Sequence, residues 1–91
     1  MALYAKQATL YPLIAVVLDT EGKYVTGLLL TYEVRRSSDN GLETSGSMTS
    51  IGDIYIANIT LANLGKYYVL YITPTDYENG EEELIVESAT L

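Results

Sequence analysis

Asn63-Leu64-Gly65-Lys66-Tyr67-Tyr68-Val69-Leu70-Tyr71-Ile72-Thr73 is the stretch whose reading decides the fold. Its apolar residues run continuously instead of recurring every three or four positions, and they are of the aromatic and β-branched types that strands favour. Asn63-Leu64-Gly65 is a turn signal, since glycine adopts the backbone angles a sharp reversal needs. The stretch therefore predicts a turn followed by a strand over residues 66–73. Successive side chains of a strand point to opposite faces. With Tyr67 and Val69 directed inward, Tyr68, Leu70 and Ile72 fall on the other face.

The same rhythm continues outward from this strand in both directions. Apolar spacing is two or continuous throughout, and turn signals recur about every ten residues. Strands are expected over residues 9–18, 28–36, 48–50, 53–61 and 82–88. Pro12 places the start of the earliest of these at a sheet edge or a bulge. Asp19-Thr20-Glu21-Gly22-Lys23 reads as a turn, after which Tyr24-Val25 leads through Gly27 into the strand that follows. Residues 37–47 form the most polar stretch, a loop or frayed hairpin around Asn40-Gly41. No helix is expected. The pattern describes a single domain over residues 1–91, with residues 1–8 as an N-terminal arm. Its architecture is all-β, a sandwich of about seven strands.

Asn63, Gly65, Tyr67 and Val69 carry a resemblance as well. They are similar to the Asp-x-Gly-x-Tyr-x-Cys corner that opens the penultimate strand of immunoglobulin-like domains. The resemblance implies an immunoglobulin-like Greek-key β-sandwich of about seven antiparallel strands, in which the Tyr67 ring packs inward while its hydroxyl caps a backbone group a few residues upstream. The run Leu18-Asp19-Thr20-Glu21-Gly22-Lys23-Tyr24-Val25-Thr26-Gly27 resembles the entry of many bacterial and phage immunoglobulin-like modules, and Gly52-Asp53-Ile54-Tyr55 resembles their mid-domain strand start. These stretches lie within residues 18–69, somewhat over half of the chain. Val69 stands where the disulfide cysteine would be, and the chain has no tryptophan. The likeness is thus to the wider sandwich class and not to an antibody domain.

Composition narrows the function. Five basic against twelve acidic residues give a net charge of −7, which repels a phosphate backbone, so nucleic acid is not an expected partner. The apolar run over residues 10–18 is about half a bilayer span and is interrupted by Pro12. No membrane crossing is expected. The N-terminal segment lacks the basic, apolar and small-residue succession of a signal peptide. There is no cysteine, so stability must come from packing, strand pairing or partner chains. Nine tyrosines stand beside no phenylalanine and no tryptophan. Tyrosine suits strands, and it also suits protein interfaces.

The chemistry inventory is thin. Without histidine or cysteine the usual general base, thiol nucleophile and soft metal ligands are missing, and neither an enzyme nor a cofactor is expected. Carboxylates such as Asp19 and Asp53 remain, but a domain of this size and kind rarely forms the cleft that shifts their acidity. Asp76, Glu78, Glu81, Glu82, Glu83 and Glu87 hold half of the acidic residues. Hard oxygen ligands suit calcium. Around Gly80, however, the spacing is one place off a helix-flanked calcium loop, and a solvated hairpin tip guarding an edge strand is the expected role.

Both faces of several strands are apolar. In the strand from Asp53, Tyr55, Ala57, Ile59 and Leu61 make one face while Ile54 and Ile56 share the other with Asn58. A small two-sheet domain has one core and two outer faces, so Ile54, Ile56, Tyr68, Leu70 and Ile72 are expected to contact other protein chains unless loops and the N-terminal arm cover them. With the resemblance, this implies a non-enzymatic structural protein of a virus particle, a phage capsid decoration or minor virion protein acting as a homo-oligomer, located in the virion. The alternative is a sugar- or protein-binding accessory module of a bacterial surface protein or enzyme, located at the cell surface or outside the cell.

Overall fold

Pairing between distant segments sets the architecture, which a computed structural model describes over residues 2–74, 77 and 79–88. Eight strands succeed one another, with no helix among the described residues: β1 (Ala2–Lys6), β2 (Leu10–Ala15), β3 (Thr31–Arg36), β4 (Leu42–Ser47), β5 (Thr49–Ile51), β6 (Ile54–Thr60), β7 (Gly65–Ile72) and β8 (Gly80–Glu87). They form two sheets, one ordered β1-β8-β7-β3-β4 and the other β2-β6-β5. Neighbours are antiparallel except β1, which runs parallel to β8 with Ala2 opposite Glu83 and Lys6 opposite Glu87.

The alternation within each strand builds the core. The larger sheet buries Tyr67, Val69 and Tyr71 from β7, Tyr32 and Val34 from β3, and Leu84 and Val86 from β8. Leu13, Tyr55 and Ile59 of the smaller sheet meet them, and Leu30, Met48 and Leu61 belong to the same cluster. Among the described residues no polar or charged residue is buried. The two sheets thus pack as a β-sandwich through one apolar layer, each large side chain removed from water contributing about 1.5–3 kcal/mol.

Two elements differ from the sequence expectation, and they raise the strand number to eight. Residues expected as an N-terminal arm hold β1. Its five residues pair along the edge of β8, and the Gln7 N–H donates to the Glu87 carbonyl at 2.8 Å. The stretch expected as a loop or frayed hairpin is an ordered hairpin. Asn40 takes a φ of 60°, which asparagine tolerates better than most residues. The Arg36 N–H donates to the Gly41 carbonyl at 2.9 Å, returning the chain as β4.

Residues 9–18 form a shorter strand than expected, although their alternation persists beyond it. Leu13 and Val17 are buried while Ile14, Val16 and Leu18 are exposed. Past β2 the Val25 N–H donates to the Val17 carbonyl at 2.8 Å, and Leu18 bridges Tyr24. Asp19 organises the turn between them, its Oδ1 accepting the N–H groups of Glu21 and Lys23, each at 2.9 Å.

Candidate functional site

The five candidate interface residues separate onto opposite sides of the sandwich. On β6, burial of Tyr55 and Ile59 sends Ile54 and Ile56 to the outer face of the smaller sheet. Register adds neighbours there: Ile56 lies between Ile14 and Thr49, and Ile54 pairs with Ile51. Ile14 is 51% exposed and Ile51 56% exposed. Val16 and Leu18 extend the exposed apolar row past the end of β2. None of the residues in β2, β5 or β6 is charged.

Tyr68, Leu70 and Ile72 occupy the outer face of the larger sheet, each half-buried. Their surroundings are different. Tyr68 lies between Arg35 and Glu83, and Leu70 between Glu33 and Glu81, while Thr31 flanks Ile72. Arg35 and Glu33 form a salt bridge of 3.0 Å. The apolar stripe is one strand wide and walled by charge.

The corner residues gather at the entry to β7. Tyr67 is buried and its hydroxyl donates to the Asn63 carbonyl at 2.9 Å. Gly65 sits between them with a φ of 139°, a value that side chains disfavour. Val69 is fully buried two residues further on. Burial raises the pKa of the Tyr67 hydroxyl above the ordinary tyrosine value; the charge of Glu43 adds to this and that of Arg36 opposes it.

Tyr55 has a structural role that the sequence reading did not assign. It is fully buried, donates its hydroxyl proton to the Val25 carbonyl at 2.7 Å and accepts the Leu28 N–H at 3.2 Å. The ring thereby pins the segment around Gly27, whose φ is 76°. The available signal was the composition: a chain whose aromatics are all tyrosine must satisfy a hydroxyl wherever it buries a ring.

At one end of the sandwich an open cleft is lined by Val17, Leu18, Leu30, Tyr71, Tyr77 and Glu82, among others. The Tyr71 hydroxyl donates to Glu82 Oε1 at 2.8 Å. Burial first, and then this hydrogen bond and the carboxylate's charge, raise the Tyr71 hydroxyl well above the tyrosine range. A phenol so held is a donor and not a nucleophile, and the pair fastens β7 to β8. Of the candidate carboxylates, Asp19 is engaged in its turn. Asp76 and Glu78 of the proposed acidic tip lie outside the described residues. Among the described residues no three carboxylates gather as a metal site.

Comparison with models of known protein families finds no match, and none is found among curated proteins.

Proposed function

We propose that the chain is an immunoglobulin-like Greek-key sandwich that works by binding other protein chains, as a structural protein of a virus particle that decorates a phage capsid. The chain passes between sheets from β1 to β2, from β2 to β3, from β4 to β5 and from β6 to β7, and such repeated crossing supports that reading. The Tyr67–Asn63 hydrogen bond supports it, because it has the geometry of a tyrosine corner. The observation that carries the functional reading is the placement of apolar side chains on the outer faces of both sheets, where a monomer in water normally presents polar ones. A protein lattice covers such faces, and a capsid is one that fits the likeness of residues 18–27 to bacterial and phage immunoglobulin-like modules.

Co-sedimentation tests this. Shells assembled from the major shell protein encoded by the same genome should carry the chain down saturably, at a fixed copy number per shell subunit. A chain that stays in the supernatant up to about 10 μM, where even modest specific affinity would register, removes the capsid reading.

A further inference from the structure

We propose that the outer faces divide the work and that the face of β2, β6 and β5 pairs with the same face of a second copy of this chain. This rests on the protein-binding reading above and specifies which surface meets which partner. Its warrant is the distribution of charge. The chain carries a net −7, yet every charge borne on a strand lies in the larger sheet, while β2, β5 and β6 carry none. Ile14, Ile56 and Thr49 form one row across the smaller sheet, and Ile54 and Ile51 form the next. Uncharged Leu10, Pro12, Asn58 and Thr60 complete the face. The nearest charges along the chain, Lys6, Asp53 and the Asp19–Lys23 turn, stand beyond the strand ends.

That pattern selects the occupant. A partner with complementary basic charge is drawn to Glu33, Glu81 and Glu83 on the other sheet and gains nothing from an uncharged surface. Two copies of a chain at −7 repel each other, so they associate where their charges are furthest from the contact. A two-fold axis sets each face against itself. For the smaller sheet this brings apolar side chains together and no like charges. For the larger sheet the same operation sets a net negative face against itself, since Glu33, Glu81, Glu83 and Glu87 outnumber Arg35, Lys6 and Lys66 on that side of each copy. Pro12 removes a donor from the edge strand β2, which favours stacking of faces over joining of edges.

Sedimentation equilibrium of the full chain at about 50 and 500 mM NaCl reads the proposal, since salt screens the repulsion between like-charged copies. The expected result is a monomer–dimer equilibrium that salt leaves unchanged or tightens. Ile14→Lys and Ile56→Lys should each weaken it by about tenfold or more, as a charge buried in an apolar contact does. Ser45→Lys adds the same charge to the opposite face and should not weaken it. Thermal unfolding by circular dichroism accompanies each variant. If Ile56→Lys does not fold, half-exposed Ile14 carries the test, with Ile14→Thr as a milder change. A monomer up to about 1 mM, too weak for a specific contact, overturns the dimer. So does a dimer dissolved by salt, or one that Ser45→Lys disrupts as strongly as Ile14→Lys. Shell co-sedimentation is read separately, so a monomeric chain that still binds shells loses the dimer and keeps the capsid reading.

Discussion

A chain whose nine aromatic residues are all tyrosines must find a partner for each hydroxyl that it buries, and the core solves this at three places. Tyr55 makes two backbone hydrogen bonds, Tyr67 one, and Tyr71 one to the Glu82 carboxylate. Removing the Tyr67 hydroxyl leaves a single carbonyl, so Tyr67→Phe should cost about 1 kcal/mol. Tyr55→Phe strands both the Leu28 N–H and the Val25 carbonyl, and should cost about 2 kcal/mol. Urea unfolding of the two variants checks the order; a smaller loss at Tyr55 would contradict the pinning of the Gly27 segment. The raised Tyr67 and Tyr71 hydroxyls also predict an alkaline limit. The unfolded chain releases these protons near pH 10 while the folded chain retains them, so their stabilising contribution is complete below about pH 9 and declines as pH rises past about 10. Tyr71→Phe should be less stable at neutral pH but lose stability above pH 10 with a shallower slope, by nearly one proton. An unchanged slope would mean that Tyr71 ionises as readily folded as unfolded.

At the scale of elements, the strands with the longest apolar runs between turn signals were those most legible in the sequence. β6, β7 and β8 lie close to their expected ranges because each is rich in strand-forming residues and sets large ones against the core, Tyr55 and Ile59 on β6, Tyr67, Val69 and Tyr71 on β7, and Leu84 and Val86 on β8. β1 was not legible. Nothing local marks Ala2-Leu3-Tyr4-Ala5-Lys6 as a strand, and its order comes from parallel pairing with a segment at the far end of the chain. β4, Leu42-Glu43-Thr44-Ser45-Gly46-Ser47, reads as a polar loop by composition. It becomes a strand because Arg36 closes the hairpin, bridging Asp39 at 3.1 Å and Glu43 at 2.8 Å, and because the Tyr32 ring lies against Gly46. For the candidate interface, alternation distinguishes the inside from the outside of one strand but not one sheet from the other. Ile54 and Ile56 were therefore grouped with Tyr68, Leu70 and Ile72 across the thickness of the domain. Ile14, Val16 and Ile51 were missed because their membership depends on register. The long-range origin of β1 can be tested directly. Deleting residues 1–6 exposes the edge of β8 and uncovers the site of buried Ala5, and it should cost roughly 2 kcal/mol or more while promoting aggregation through the freed edge. A truncated chain that melts at the wild-type temperature would reduce β1 to an ornament of the sheet.

For the whole molecule, folding and assembly compete for the same kind of side chain, and substitutions on either side of one strand separate them. Val69 is fully buried and Leu30 almost so, whereas Leu70 and Ile72 are half-buried on the outer face of the same sheet as Val69. Val69→Ala and Leu30→Ala remove methyl groups from a packed core and should lower stability by about 2 kcal/mol or more, as cavity-forming changes do. Replacing Leu70 and Ile72 together by threonine keeps strand propensity but removes outward apolar surface, at roughly 25 cal/mol per Å2 that a partner would otherwise bury. That variant should unfold close to the wild-type midpoint and bind shells more weakly. Its self-association should be unchanged if copies pair through the uncharged sheet, because Leu70 and Ile72 lie on the other side of the sandwich. A domain of this size has about 5–10 kcal/mol of stability in total, so a core loss of 2 kcal/mol is plain in a denaturant curve and an outward loss is not. Were the threonine variant to unfold while the alanine variants stayed stable, the inward and outward faces of β7 would be exchanged and the proposed binding surface would be the core.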